Sequence, residues 1–145
     1  MKVSKLMSRN IVIVELNDPL SRVKELFEQT SFHHLLVVED GRMFGVISDR
    51  DLLKSISPNI DSVAATTRDL ASLNKKAHQI MTRQPISLNE NATVTEAIDI
   101  FNHNKISCIP IIDDTEKPVG IISWRDIMRE LGKQCKRDTQ TQKSR

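Results

Sequence analysis

The sequence of 145 residues predicts an α/β (α+β) fold built from two β-α-β-β-α repeats. Three observations lead to this prediction. First, the chain matches itself at an offset of 74 residues, which becomes 75 after a one-residue insertion, as in Met7/Met81, Phe27/Phe101 and Gly45/Gly120. Second, apolar residues in both halves alternate between the spacing of strands and that of helices. Third, the apolar residues are mostly Ile, Leu and Val, which suit strands packed against helices.

Repeat one contains all five predicted elements. Asp18 fits a helix N-cap, and Pro19 fits the first helical position. Leu20, Val23, Leu26 and Phe27 then follow at helical spacing. The elements predicted around this first helix are the strands Ile11–Val14, Leu35–Val38 and Phe44–Ser48, with a turn at Glu39-Asp40-Gly41, and a closing helix at Arg50–Ile56.

Repeat two has the same order. Thr93 and Glu96 have the spacing of a capping box, which predicts a helix start there. The apolar stripe of this helix is Val94, Ala97, Ile98 and Phe101. The other predicted elements are the strands Ile86–Leu88, Ile109–Ile112 and Val119–Ser123 and the helix Arg125–Leu131.

The chain therefore divides into four predicted segments. Residues 1–56 form repeat one, and residues 79–131 form repeat two. Between them lies a linker, residues 57–78, in which Thr67–Ala77 is compatible with a helix. Residues 132–145 form a basic, polar tail, for which the composition predicts disorder.

Composition excludes several classes of protein. The net charge is only +2 and aromatic residues make up 3%, which argues against a dedicated nucleic-acid binder. No apolar run approaches the roughly 20 residues of a membrane-spanning helix, and no secretory signal is visible at the start. Two cysteines, Cys108 and Cys135, cannot form a disulfide framework, so a cytoplasmic location is expected.

The most specific local pattern occurs once in each repeat. Gly45–Asp51 reads Gly-Val-Ile-Ser-Asp-Arg-Asp, and Gly120–Asp126 reads Gly-Ile-Ile-Ser-Trp-Arg-Asp. One interpretation is purely structural: the serine caps a helix and the aspartate complements the helix dipole. The other is a ligand site, in which free N–H groups and an arginine meet a phosphate and the aspartate takes both hydroxyls of a ribose.

These patterns resemble a tandem pair of cystathionine-β-synthase (CBS) domains, also called a Bateman module. The similarity also includes Ile80-Met81-Thr82 before Pro85-Ile86, and Ile109-Pro110-Ile111-Ile112-Asp113. It covers about Val3–Leu131, as in small stand-alone CBS proteins. The resemblance implies two repeats packed by their sheets about a pseudo-two-fold axis. It also implies two clefts for AMP, ADP, ATP or S-adenosylmethionine, a regulatory role, and a homodimer formed through the short helices.

Carried over residue by residue, the resemblance implies two sets of ligand contacts. One cleft would hold Ser123, Arg125 and Asp126 with Ser8, Val12, Phe32 and His33. The other would hold Ser48, Arg50 and Asp51 with Thr82, Ile86, Ile106 and Ser107. The family's phosphate-contacting positions fall at His33-His34, and this favours the Asp51 cleft. Trp124 would either stack on a base or block the Asp126 cleft, so one occupied cleft is as consistent with the sequence as two.

Other functions fit the sequence less well. His33 and His34 are adjacent residues just before the predicted strand Leu35–Val38, and adjacent residues of an extended chain point to opposite faces, so they do not suit a shared metal. No catalytic set and no required cofactor are predicted, so the chain is expected not to be an enzyme and not to associate with a membrane. Two alternatives stay open: a ligand-free interaction module that acts through its dimer surface on an unknown regulated protein, and nucleic-acid binding through the basic tail.

Overall fold

A computed structural model describes residues 1–143 of the chain. The predicted α/β order is confirmed in both repeats. Repeat one comprises β1 (Ile13–Glu15), α1 (Leu20–Gln29), β2 (His34–Glu39), β3 (Arg42–Ser48) and α2 (Asp49–Ser55). The linker and the start of repeat two contain α3 (Thr67–Ala71), α4 (Ala77–Ile80) and β4 (Thr82–Arg83). Repeat two continues with β5 (Leu88–Asn89), α5 (Val94–His103), β6 (Cys108–Ile112), β7 (Pro118–Ser123) and α6 (Trp124–Lys143).

The compact units of the fold do not coincide with the sequence repeats. Unit 1 consists of residues 1–10, 86–115 and 119–145, and unit 2 consists of residues 11–85 and 116–118. The segment that opens each repeat therefore packs in the unit built around the other repeat. Val3 and Met7 belong to the core of unit 1, whereas Ala77 belongs to the core of unit 2.

Unit 2 is organised around a four-stranded sheet of order β1-β2-β3-β4. The β1–β2 pair is parallel, and the β2–β3 and β3–β4 pairs are antiparallel. Asp40 and Gly41 connect β2 to β3, both with positive φ, as a tight hairpin requires. The fully buried side chains of this core come from α1 and the central strands, namely Leu20, Val23, Leu35, Val37 and Ile47.

Unit 1 contains a three-stranded sheet of order β5-β6-β7, with β5 parallel to β6. Ser8 adds an isolated antiparallel bridge to Ile121 of β7. This bridge lies at the position that β4 occupies beside β3 in unit 2. The fully buried residues of the core include Val3, Ala97, Ile109, Ile111 and Ile122.

Asp18 does not cap α1, and this prediction was wrong. The helix begins at Leu20 with Pro19 as the N-cap residue and no capping side chain. The Asp18 carboxylate instead accepts a hydrogen bond of 2.8 Å from the Glu15 N–H, which closes the turn after β1. The Leu20 N–H donates to the Lys75 carbonyl at 2.8 Å, so the linker supplies the partner that a capping residue would otherwise provide.

The tail differs from the disorder that the sequence predicts for residues 132–145. Helix α6 continues without a break from Trp124 to Lys143, and residues 144–145 lie outside the described part. Lys, Arg and Gln make up most of this segment and have good helix propensity, whereas Gly132 has the poorest. Helical propensity therefore outweighs the polar composition. Within residues 1–143, no helix has the length and apolar content needed to cross a membrane.

Candidate functional site

The Gly45–Asp51 segment forms the turn from β3 into α2. The Ser48 N–H donates to Asp51 Oδ2 at 2.8 Å, and the Asp51 N–H donates to Ser48 Oγ at 3.1 Å. Together these bonds form a capping box, so the structural interpretation of this segment is confirmed. Of the two carboxylate oxygens, only Asp51 Oδ2 takes part in the box, and Asp51 Oδ1 lies outside it. The turn thus fixes the position of a carboxylate and leaves one of its oxygens outside the capping bonds.

The equivalent turn in unit 1 has the same geometry. The Ser123 N–H donates to Asp126 Oδ2 at 2.8 Å, and the Asp126 N–H donates to Ser123 Oγ at 3.2 Å. Here Asp126 Oδ1 is also 3.5 Å from Arg129 Nη1. The Asp126 side chain is largely buried, with 18% of its surface exposed. The repeat therefore places two matched carboxylates at two strand-to-helix turns.

Each turn depends on a glycine that packs against a methionine. A Cβ on Gly45 would lie 2.5 Å from Met81 Sδ and 2.9 Å from the Thr82 carbonyl oxygen. A Cβ on Gly120 would lie 2.5 Å from Met7 Sδ and 2.8 Å from the Ser8 carbonyl oxygen. The glycine lets the opening segment of the other repeat pair directly with the strand that leads into the turn.

His33, His34 and Asp49 form a cluster of titratable groups beside the Ser48–Asp51 turn. His33 Nδ1 is 2.9 Å from Asp49 Oδ2, and this bond lowers the pKa of Asp49. Burial lowers the pKa of His34, against the smaller opposing effects of Asp49 and Asp51, while nearby His33 lowers it further. The His34 imidazole is therefore neutral near pH 7, so it offers a phosphate a hydrogen bond rather than a positive charge. Arg50 is the permanent cation of this turn.

We expect the stability of the protein to fall as the pH drops from 6.5, the ordinary pKa of His34, toward its lower value in the folded state. In this window the unfolded chain binds a proton at residue 34 more tightly than the folded chain does, and acid therefore favours unfolding. Urea unfolding at about pH 7.5 and about pH 5.5 measures the effect. His34→Gln is expected to reduce the loss of stability; an equal loss in this variant would contradict the assignment.

The unit 1 turn carries an aromatic side chain where unit 2 has Asp49. Trp124 is the first residue of α6 and is about half exposed. The backbone N–H of Trp124 donates to the Ser107 carbonyl at 3.4 Å, and the guanidinium of Arg125 lies 5.7 Å from the centroid of the Trp124 ring. This turn therefore carries an indole ring in contact with a cation, next in sequence to the capping carboxylate of Asp126.

The predicted site residues fall into two groups, one in each unit. Unit 2 holds Val12, Phe32, His33, His34, Ser48, Arg50, Asp51 and Thr82. Unit 1 holds Ser8, Ile86, Ile106, Ser107, Ser123, Arg125 and Asp126. Thr82 pairs with Val46 in the sheet of unit 2, and Ser8 pairs with Ile121 in unit 1. Each predicted cleft draws on both groups, and contact of both groups with one ligand stays a prediction.

Sequence reasoning missed two features of the turns. Asp49 was not assigned a role, although it directly follows the serine and bonds His33. The packing of glycine against methionine was missed as well, although Met7/Met81 and Gly45/Gly120 are both identical pairs of the repeat. Identity in both pairs was the signal that could have found it. Among the described residues, no group of three or more His, Cys, Asp or Glu side chains is placed to hold a metal ion.

A family model of the CBS domain matches residues 3–58 and 77–133 of the chain. An uncharacterized 17.7 kDa protein of Acidianus ambivalens is 30% identical over 131 residues, which are 90% of this chain and 73% of the relative. The uncharacterized protein MJ1404 of Methanocaldococcus jannaschii is 25% identical over 189 residues, which cover 94% of this chain. The chain spans only 45% of the length of MJ1404.

Two solved structures resemble the fold. The CBS domain pair of protein MJ0100, in complex with 5′-methylthioadenosine and S-adenosyl-L-methionine, has a TM-score of 0.72 and 26% identity, and covers 92% of this chain and 98% of that chain. CBSX2, in complex with AMP, has a TM-score of 0.73 and 21% identity, and covers 91% of this chain and 96% of that chain. The second likeness concerns the fold alone.

Proposed function

The chain belongs to the CBS domain family, and from that premise we propose that it is a non-enzymatic regulatory module that binds an adenosine-containing ligand. The observation that carries this proposal is the duplicated turn, in which Asp51 and Asp126 are held by matched capping boxes and each follows an arginine. The adenosine ligands of the MJ0100 domain pair support the choice of ligand class.

Each turn would contribute two kinds of contact. A carboxylate can accept hydrogen bonds from both ribose hydroxyls, and such charge-assisted bonds are stronger than neutral ones. Arg50 and Arg125 would face the negatively charged part of the ligand, a phosphate or a carboxylate. The adenine and the rest of the ligand would contact the other predicted residues, which are Ser8, Val12, Phe32, His33, His34, Ser48, Thr82, Ile86, Ile106, Ser107 and Ser123.

The two turns differ in ways that bear on ligand choice. The Asp51 turn has Arg50 and the two histidines nearby, whereas the Asp126 turn has the exposed Trp124 ring stacked with Arg125. AMP, ADP, ATP and S-adenosylmethionine all carry the ribose and adenine that both turns would recognise. Phosphates suit the Asp51 turn because Arg50 and the neighbouring histidines offer N–H donors. This agrees with the preference for the Asp51 cleft drawn from the sequence.

Isothermal titration calorimetry with AMP, ADP, ATP and S-adenosylmethionine tests the proposal. We expect at least one of the four to bind with a Kd below about 1 mM, which corresponds to about 4 kcal/mol. Binding of none of them below that concentration would overturn the proposal of an adenosine ligand.

A second candidate function is interaction with other protein chains, including a second copy of this one. The observation that favours it is the exposure of large apolar side chains on α2 and on the first turns of α6, such as Leu53, Met128 and Leu131. We propose a homodimer that regulates a partner protein. A cytoplasmic location, expected from the sequence, stays a prediction. If no nucleotide binds and none changes the oligomeric state, interaction with other protein chains is the function that remains.

A further inference from the structure

Helix α6 extends well beyond its counterpart in repeat one. Under the repeat offset of 75 residues, α2 (Asp49–Ser55) corresponds to residues 124–130 of α6. The remaining residues, 131–143, have no helical counterpart in repeat one, because α2 ends before Ile56. Every residue of this segment is exposed, and at about 1.5 Å per residue it forms a helix about 20 Å long. The repeat architecture therefore does not account for this part of α6.

The cations of α6 lie on one side of the helix. With about 100° of rotation per residue, they fall within an arc of about 120° and span about 27 Å along the helix axis. The net charge of α6 is +3, compared with +2 for the whole chain, so the low overall charge conceals a local concentration. We call these cations the basic stripe; they are Arg125, Arg129, Lys133, Lys136, Arg137 and Lys143.

The acids of α6 leave most of the basic stripe uncompensated. Asp126 lies within the same arc, but at the start of the helix, where it closes the capping box and is 3.5 Å from Arg129. Asp138 lies about 100° outside the arc, on another side of the helix. Among residues 1–143, ion pairs are formed by none of the last four cations of the stripe, which are Lys133, Lys136, Arg137 and Lys143.

Helix stability does not explain the basic stripe. A cation in the last turn interacts favourably with the helix dipole, but this effect falls off within that turn and accounts only for Lys143. Elsewhere the stripe places like charges four residues apart, as in Arg129/Lys133 and Lys133/Arg137, and such pairs destabilise a helix. The arrangement is therefore unfavourable for the chain alone and becomes favourable beside a polyanion.

The composition and the diameter of the exposed segment favour DNA over a membrane. A helix that lies in a membrane interface needs an apolar face, and Cys135 is the one apolar residue of positions 132–143. An α-helix with its side chains is about 10–12 Å across, and the major groove of B-DNA is about 12 Å wide. The major groove of double-stranded RNA is too narrow for the same contact. A helix exposed on all sides therefore suits the groove of DNA.

We propose that the basic stripe of α6 binds the phosphate backbone of double-stranded DNA, with residues 131–143 lying in the major groove. Contacts between phosphates and Lys or Arg carry no sequence information, so the binding is expected to be non-specific. The proposal goes beyond the recognition of adenosine, because residues 131–143 include none of the predicted ligand contacts.

Fluorescence anisotropy of a labelled DNA duplex of about 20 base pairs, titrated with the full chain between about 50 and 200 mM salt, tests the proposal. Each phosphate contact contributes about −0.9 to the slope of log K against log salt concentration. Contacts from four cations therefore predict a slope of about −3.6 or steeper. We expect a Kd of about 10⁻⁴–10⁻⁶ M at physiological salt, as for other non-specific DNA binders.

Charge removal shows whether the basic stripe or the net charge binds the duplex. The stripe variant combines Lys133→Gln, Lys136→Gln, Arg137→Gln and Lys143→Gln, since glutamine keeps good helix propensity. The matched control removes three lysines and one arginine from exposed positions elsewhere and has the same formal net charge, four below that of the chain. We expect the stripe variant, but not the control, to bind at least about tenfold more weakly and to lose most of the salt dependence. The control changes are Lys5→Gln, Lys54→Gln, Arg68→Gln and Lys105→Gln.

A chain that ends at Leu131 should lose binding as the stripe variant does, and full binding by this shorter chain would overturn the proposal. Equal weakening in the stripe variant and the control would overturn it too, because net charge would then explain the binding. So would equal affinity for an RNA duplex of the same sequence, or binding to phosphatidylserine vesicles without binding to DNA. Failure of the calorimetric titration with nucleotides would leave these results unchanged, so the two proposals fail separately.

Discussion

Replacing Asp51 by alanine is expected to weaken binding of the adenosine-containing ligand by at least about tenfold. The variant removes a carboxylate that would accept two ribose hydroxyls, and hydrogen bonds to a charged group contribute about 1.5–3 kcal/mol each. Each 1.4 kcal/mol corresponds to about a factor of ten in Kd. Calorimetric titration of the variant beside the unchanged protein measures the loss, and Asp126→Ala tests the second turn in the same way.

The matched control is Asp69→Ala in the linker. Thr66 and Asp69 form a capping box with the same bonds as Ser48 and Asp51, at 2.9 Å and 3.2 Å, and Asp69 also accepts from Ser57. This variant therefore loses a cap of the same kind without touching a predicted ligand residue. Equal affinities in the Asp51→Ala and unchanged proteins, or an equal loss in Asp69→Ala, would show that Asp51 acts only as a helix cap.

Gly45→Ala is expected to destabilise the protein by about 1–3 kcal/mol, the range measured when an extra carbon is forced into a packed core. The added Cβ would meet Met81 Sδ at 2.5 Å and the backbone oxygen of Thr82 at 2.9 Å. The methionine side chain can rotate away, but the Thr82 carbonyl belongs to β4, which pairs with β3 at this point. Relief of the contact therefore requires the two strands to separate. Urea unfolding measures the change.

Gly132→Ala is the control for this substitution. Gly132 lies within α6 and has no atom within 4 Å of its added Cβ. The same change there should stabilise the helix by up to about 1 kcal/mol, because glycine is a poor helix former. A Gly45→Ala protein as stable as the unchanged one would mean that the close approach of β4 to β3 does not constrain this position.

The order of the elements and the two turns were predictable because their signals are local. Hydrophobic spacing identified the helices and strands, and the Ser-x-x-Asp spacing identified the capping boxes at Ser48 and Ser123. The repeat strengthened each prediction, since every pattern could be read twice.

The features that the sequence did not reveal depend on contacts between distant segments. Nothing local to Asp18 indicates that the Lys75 carbonyl will accept from the Leu20 N–H, and this contact is what makes a side-chain cap unnecessary. Similarly, Met7 and Met81 open their repeats in sequence but pack against Gly120 and Gly45, more than 30 residues away in the chain. The helical structure of residues 132–143 was missed for a different reason, because polar composition does not distinguish an exposed helix from a disordered segment.

Native mass spectrometry of the protein with S-adenosylmethionine, and separately with AMP, tests the central proposal most directly. We predict a complex whose mass exceeds that of the protein by one or two ligand molecules, formed at ligand concentrations below about 1 mM. The double variant Asp51→Ala, Asp126→Ala should lose it, whereas Asp69→Ala should retain it. No complex with either ligand, or a complex that survives in the double variant, would contradict the account of a module that recognises adenosine through its two aspartates.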